Sequence, residues 1–113
     1  MERTVSIAKQ VTALAGEEGF TDLMEITKGQ TLFVKRVTFD FPTDARGYVY
    51  ISVWKGNIQV VPTEGEITTY WGHLTLEVNQ NWESGTRLRV KWRNTDNTAD
   101  HKVLVIVEGE YKD

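Results

Sequence analysis

Polar and apolar side chains alternate along most of the chain. From Thr4 to Leu14 the residues Val5, Ile7, Lys9, Val11 and Ala13 share one phase, and Ser6, Ala8, Gln10 and Thr12 share the other. A period of two carried by β-branched residues predicts a strand. AGEEG at 15–19 is a turn signal, Leu23 to Ile26 a short extended segment, and Lys28-Gly29-Gln30 its close. Between Thr31 and Phe41, Phe33, Val37, Phe39 and Phe41 fall on one face with Thr38 and Asp40 opposite, and Lys35 breaks the apolar phase. The expectation is one long core strand. PTDARG at 42–47 combines Pro, Asp and Gly and reads as a loop, after which Val49, Ile51 and Val53 of YVYISVW point inward. Lys55-Gly56-Asn57 reverses the chain into Ile58 to Val61, which predicts a hairpin over 48–61 ended by Pro62. Glu66 to Tyr70 is a further short-strand candidate, and 73–79 alternates Leu74, Leu76 and Val78 against His73, Thr75, Glu77 and Asn79. RLRVKWR at 87–93 and HKVLVIVEGEY at 101–111 flank the polar loop NTDNTAD, a pattern that predicts a terminal hairpin with a long connection.

Eight or nine strands result, with no sustained 3.6-residue stripe, no repeat of 20–50 residues and no low-complexity linker. Short strands at about ten-residue spacing predict an all-β fold, an antiparallel two-sheet β-sandwich of jelly-roll type. With 113 residues the chain suffices for one hydrophobic core, so a single domain over 1–113 is expected.

Composition narrows the function classes. At 40% hydrophobic and 26% charged residues the chain is neither a disordered polymer nor supplied with an apolar run that would span a bilayer. A net charge of −3 argues against generic attraction to nucleic acid or an anionic membrane, and neither is expected as a partner. The absence of Cys excludes disulfides, a thiolate nucleophile and Cys-type zinc sites. Residues 1–20 lack the apolar core of a secretory signal, interrupted as they are by Arg3, Lys9 and Gln10, so synthesis in the cytoplasm is expected, with a virion as one destination.

No catalytic centre is legible. His73 and His101 lie in none of the short spacings that give two metal ligands from one element, so no metal and no cofactor is expected. Ser6, Ser52 and Ser84 lack a nucleophile elbow, and Glu64, Glu66, Glu108 and Glu110 are more simply a solvated face than a glycosidase pair. The sharper features belong to the surface. Arg87, Arg89, Lys91 and Arg93 alternate with Leu88, Val90 and Trp92, which puts four cations on one strand face at spacings of roughly 7 Å. Such a row needs relief, either from acidic side chains on neighbouring strands or from an acidic partner subunit or phosphate. Tyr70, Trp71 and Trp82 sit at strand ends or loops, where rings either cap the sandwich or form a platform for sugars or proteins. In the last strand Leu104 and Ile106 oppose Val103, Val105 and Val107, leaving no polar face; in an edge or terminal strand this implies cover by another chain or by an extra sheet.

The segment GTRLRVKWRNTDNTADHKVLVIVEGEY, about a quarter of the chain, resembles the closing hairpin of small jelly-roll proteins of tailed phages and related particles. The resemblance rests on a Gly-Thr strand start, an Asn-Asp loop and a Val-rich last strand ending in Gly, and β-sandwich carbohydrate-binding modules carry similar hairpins. It implies a non-enzymatic subunit of a multimeric assembly, a homo-oligomer or a decoration protein, with the basic row and the residues Leu104 and Ile106 as contacts. The alternative is a carbohydrate-binding module that uses Tyr70, Trp71 and Trp82 on a glycan.

Overall fold

The computed structural model of the protein describes residues 3–112. The alternating segments form eight strands: β1 (Arg3–Ala13), β2 (Glu18–Glu25), β3 (Thr31–Phe41), β4 (Val49–Lys55), β5 (Ile58–Val61), β6 (Gly72–Trp82), β7 (Arg87–Asn94) and β8 (His101–Lys112). The Glu66–Tyr70 candidate is not a strand, for only Ile67 bridges to Ile51, through two backbone bonds of 2.9 and 3.0 Å.

Two four-stranded sheets result, ordered β1-β8-β3-β6 and β2-β7-β4-β5, and every pairing is antiparallel. Successive strands change sheet at nearly every step, and only β4 and β5 are neighbours both in sequence and in one sheet, as the hairpin at 48–61 predicts. This is the eight-stranded jelly roll. Val11, Val34, Val37, Phe39 and Val105 of one sheet meet Ile51, Val53, Leu88, Val90 and Trp92 of the other in a core whose members are all below 9% exposed.

The terminal hairpin does not form. β7 pairs with β2 and β4 while β8 pairs with β1 and β3, so residues 95–100 carry the chain from one sheet to the other. Asn94 pins this crossing: buried at the end of β7, it donates through Nδ2 to Ala13 O (3.0 Å) and Ala99 O (2.9 Å), and its Oδ1 accepts from Asp96 N (2.9 Å). The loop thus holds the end of β1 as firmly as its own strand. A second correction follows, because β8 is an interior strand between β1 and β3, and the apolar residues on its outer face lie in mid-sheet.

The third correction concerns Lys35. Between Val34 and Arg36 the register of β3 slips against β8, so Lys35 is a bulge and the buried set is Leu32 and Val34 before it, Val37, Phe39 and Phe41 after it. Phe33 is therefore turned away from the core residues that its spacing suggested. The bulge also presses the Phe33 carbonyl onto Gly109, where a Cβ would stand 2.3 Å from that oxygen.

Candidate interaction surfaces

The strand registers fix what each sheet shows to solvent. With Val103, Val105 and Val107 turned inward at 1% exposure, β8 presents Lys102, Leu104, Ile106 and Glu108 on the other face. Rows of cross-strand neighbours run over this exterior: Gln10, Leu104, Asp40 and His73; then Ala8, Ile106, Thr38 and Thr75; then Ser6, Glu108, Arg36 and Glu77. The middle row carries no charge, its polarity being confined to the Thr38–Thr75 hydroxyl pair at 3.1 Å. Leu104 beside it is 37% exposed. On one side Arg36 closes the patch through Glu108 (3.3 Å) and Glu77 (3.6 Å). Ile106 thus lies in an uncharged row, and Leu104 borders it in the next row, between Gln10 and Asp40.

The basic row lies on the exterior of the other sheet. Arg87 and Arg89 both reach Asp22, at 2.9 and 2.8 Å, and Arg93 pairs with Glu66 at 2.9 Å. Among the described residues Lys91 has no carboxylate within ion-pair distance, and its ammonium lies 6.0 Å from the centroid of Phe20. Arg89 stacks over the same ring at 4.2 Å, Phe20 meets Trp54 edge-on at 5.2 Å, and Arg93 covers Tyr50 at 4.6 Å. Phe20, Tyr50 and Trp54 are the aromatic members of this surface. For Tyr50 and Trp54 the signal was present, since they alternate with the inward Val49, Ile51 and Val53.

The three aromatic candidates do not come together. Trp82 pairs with Leu32 across β3 and β6, and both are 0% exposed, so its ring belongs to the core and not to a platform. Lys55 covers that ring at 5.1 Å, and the indole Nε1 has no hydrogen-bond partner among the described residues. Tyr70 and Trp71 are exposed and meet edge-on, with centroids 4.6 Å apart and planes 64° apart.

The residues weighed for chemistry have separate duties. His101 is buried, stacks against Tyr48 at 6.4 Å, and engages Asp96 Oδ2 through Nε2 at 2.8 Å, while Asp44 lies 3.4 Å from Nδ1. Asp96 accepts from the Thr98 backbone N–H (2.9 Å) and hydroxyl (2.7 Å) as well, and these bonds, with that to His101, hold its carboxyl down at about 2. His73 is exposed on the opposite sheet exterior. Ser52 accepts from Trp54 Nε1 and Ser84 from Gly29 N, so neither hydroxyl is turned to an imidazole. Glu66, Glu108 and Glu110 are each held by a cation, Arg93, Arg36 and Lys35 in turn. No group of three His, Asp or Glu side chains among the described residues is placed to hold a metal ion. Two open depressions, of about 370 Å³ and about 310 Å³, lie beside Glu17, Arg93 and Asn97 and beside Lys9, Asp22 and Arg87.

No protein-family model and no curated protein sequence matches the chain. Solved structures do match, and they place it in the class that the strand order defines, the jelly-roll β-sandwiches. A chain from the atomic structure of Sulfolobus Turreted Icosahedral Virus aligns at a TM-score of 0.62 and 15% identity, over 98% of this chain and 31% of that one. The protein thus spans less than a third of the length of that viral chain. A chain from the acid-stable capsid structure of Helicobacter pylori bacteriophage KHP30 aligns at 0.53 and 15% identity, over 96% of this chain and 93% of that one. The crystal structure of FLHE aligns at 0.54 and 13% identity, over 99% and 98%. The fold is what these likenesses show.

Proposed function

We propose that the protein is a non-enzymatic structural subunit that assembles with copies of itself, as a homo-oligomer or as part of a larger particle such as a virion. The observation that carries this reading is the β1-β8-β3-β6 exterior, where Leu104 and Ile106 stand apolar in mid-sheet and the row through Ile106 carries no charge. Strand β8 keeps apolar residues on both faces although only one is needed for the core, the signature of a surface that is covered in the working state. The likeness to virus structures over nearly the whole chain supports the same class of role. The salt-bridged basic row contributes less to this contact, because Asp22 and Glu66 already meet three of its four charges.

Light scattering across a wide concentration range tests the proposal. The wild type is expected to exceed the 12.9 kDa of one chain, and Leu104→Glu, at an exposed position that leaves the core intact, to weaken association by about 10- to 100-fold. A strict monomer at every concentration overturns the reading. The second reading, glycan binding, now rests on Tyr70 and Trp71 alone, the two rings that remain exposed. Quenching of Trp fluorescence by a panel of sugars, abolished in Trp71→Ala, is its expected signature, and no response to any sugar removes it.

A further inference from the structure

The four edge strands of the sandwich are not equally protected. An edge strand offers unpaired N–H and C=O groups to any other strand, and proteins blunt it by shortening it, bulging it, placing Pro beside it or setting charges on it. β5 has four residues and runs into Pro62. β2 is bulged between Asp22 and Met24, and β6 is broken where its register slips against β3, with Asn79 at φ 52°. β1 is neither short nor bulged, and no Pro stands beside it. Its eleven residues pair with β8 in one unbroken register from Arg3–Tyr111 to Ala13–His101, and its other edge pairs with no strand among the described residues.

The two cations of β1 do not guard the edge either. Lys9 reaches across the opening between the sheets to donate to Asp22 O at 2.7 Å, and Arg3 lies over Tyr111 at 5.4 Å and donates to Gln30. The residues of β1 on the sheet exterior are Thr4, Ser6, Ala8, Gln10 and Thr12, all uncharged and all exposed.

We propose that the free edge of β1 docks the β1 of a second copy of this chain, paired antiparallel about a two-fold axis at Ala8, so that two four-stranded sheets join into one of eight. The partner is argued from self-complementarity. An isologous contact sets each residue against its mirror position in the copy, and centring on Ala8 sets Thr4 against Thr12, Ser6 against Gln10 and Val5 against Val11, with Lys9 against Ile7. Hydroxyl residues meet hydroxyl or amide, β-branched meets β-branched, and no like charges are opposed. Centring one residue later sets Lys9 against Lys9 and is penalised. Joining the edges also extends the row Ala8, Ile106, Thr38 and Thr75 across the axis, doubling the width of the uncharged band. The inference rests on the assembly reading in taking a copy of the chain as partner, but it places a separate contact at an edge instead of on a face.

Because the chain has no Cys, single cysteines report the pairing directly. Directly opposed residues of an antiparallel pair have Cα atoms about 4.5–5.5 Å apart, inside disulfide range, whereas sheets stacked face to face stand about 10 Å apart, outside it. Under mild oxidation Ala8→Cys is expected to give a covalent dimer on a non-reducing gel. Thr4→Cys mixed with Thr12→Cys is expected to give a dimer too, and each of these alone to stay monomeric. All three substitutions are at exposed positions. If Ala8→Cys does not crosslink while the wild type still scatters as an oligomer, the edge contact is overturned and the assembly reading stands. Crosslinking of Thr4→Cys to itself as readily as to Thr12→Cys overturns the register, and a wild type that is monomeric throughout overturns both.

Discussion

Gly109 offers the most direct measurement of how tightly the bulge in β3 is built. Replacing it by Ala puts a Cβ 2.3 Å from Phe33 O and 3.2 Å from Phe33 C and Val34 Cα, all of them backbone atoms that cannot rotate away. A close carbon–oxygen contact is about 3.3 Å, so β3 and β8 must part by about 1 Å. That displacement takes the flanking ladder bonds out of hydrogen-bond range, at about 1 kcal/mol each, and disturbs Leu32 and Val34, both 0% exposed. Overpacking of this kind costs about 1–3 kcal/mol, and with two ladder bonds the total comes to about 3–5 kcal/mol, a large share of the roughly 5–15 kcal/mol that keeps a domain folded. In urea the unfolding midpoint should fall by about 2 M at a typical slope. Gly29→Ala is the matched control, since it stands at φ +82° with no atom within 4 Å of its Cβ and so tests backbone strain without a clash; it should cost about 1–2 kcal/mol. A Gly109→Ala protein within about 1 kcal/mol of wild type would refute the reasoning, for it would mean that the strands at the bulge separate freely.

Two further predictions concern the loop that carries the chain between the sheets. Asn94→Asp replaces the amide that donates to Ala13 O and Ala99 O with a carboxylate facing the same two carbonyls, and should cost about 3 kcal/mol or more, seen as a fall in melting temperature of about 15 °C; an unchanged melting temperature sinks the claim that this amide pins the crossing. Asp96, held down at about 2 against an ordinary 3.8, is depressed in the folded state, so its contribution is complete above about pH 4 and is lost as pH falls toward 2. Urea midpoints measured across that window should fall less steeply for Asp96→Asn than for wild type, and parallel curves would count against the Thr98 and His101 bonds as its cause.

Strand positions were legible because alternation is a local property, and their pairing, outside the hairpin at 48–61, was not because a jelly roll is made of crossings. Most of the strands show their alternation in the sequence, and β2 alone begins well before its expected start, inside what reads as a turn. Gly19 misleads there: it is a strand residue kept bare because the Trp92 ring passes over it, 2.9 Å from where a Cβ would be. The terminal hairpin failed for a related reason. Sequence proximity favours pairing 87–93 with 101–111, but the Asn94 amide ties their connection to Ala13, some eighty residues away in the chain, and no local pattern reports such a bond. Lys35 shows the limit of periodicity itself, since a strict period of two places Phe33 inside, and the one-residue bulge puts Leu32 and Val34 there instead.

The surfaces divide in the same way. Which face a residue is on follows from phase, so the basic row and the pair Leu104 and Ile106 lie outside their sheets as their spacing requires. What stands beside them depends on strand order. Had β8 been an edge strand, Leu104 and Ile106 would mark a ragged border; between β1 and β3 they stand in mid-sheet, Ile106 in the uncharged row that begins at Ala8 and Leu104 in the row beside it. The basic row changes meaning oppositely, because β7 is flanked by β2, which supplies Asp22, and by β4, near which Glu66 reaches Arg93. A row of four cations that looked exposed is largely neutralised by its own sheet, while an apolar pair that looked like an edge effect is left facing solvent. The unsatisfied surface of the protein is therefore the β1-β8-β3-β6 exterior together with the β1 edge that borders it, and the two share Ala8.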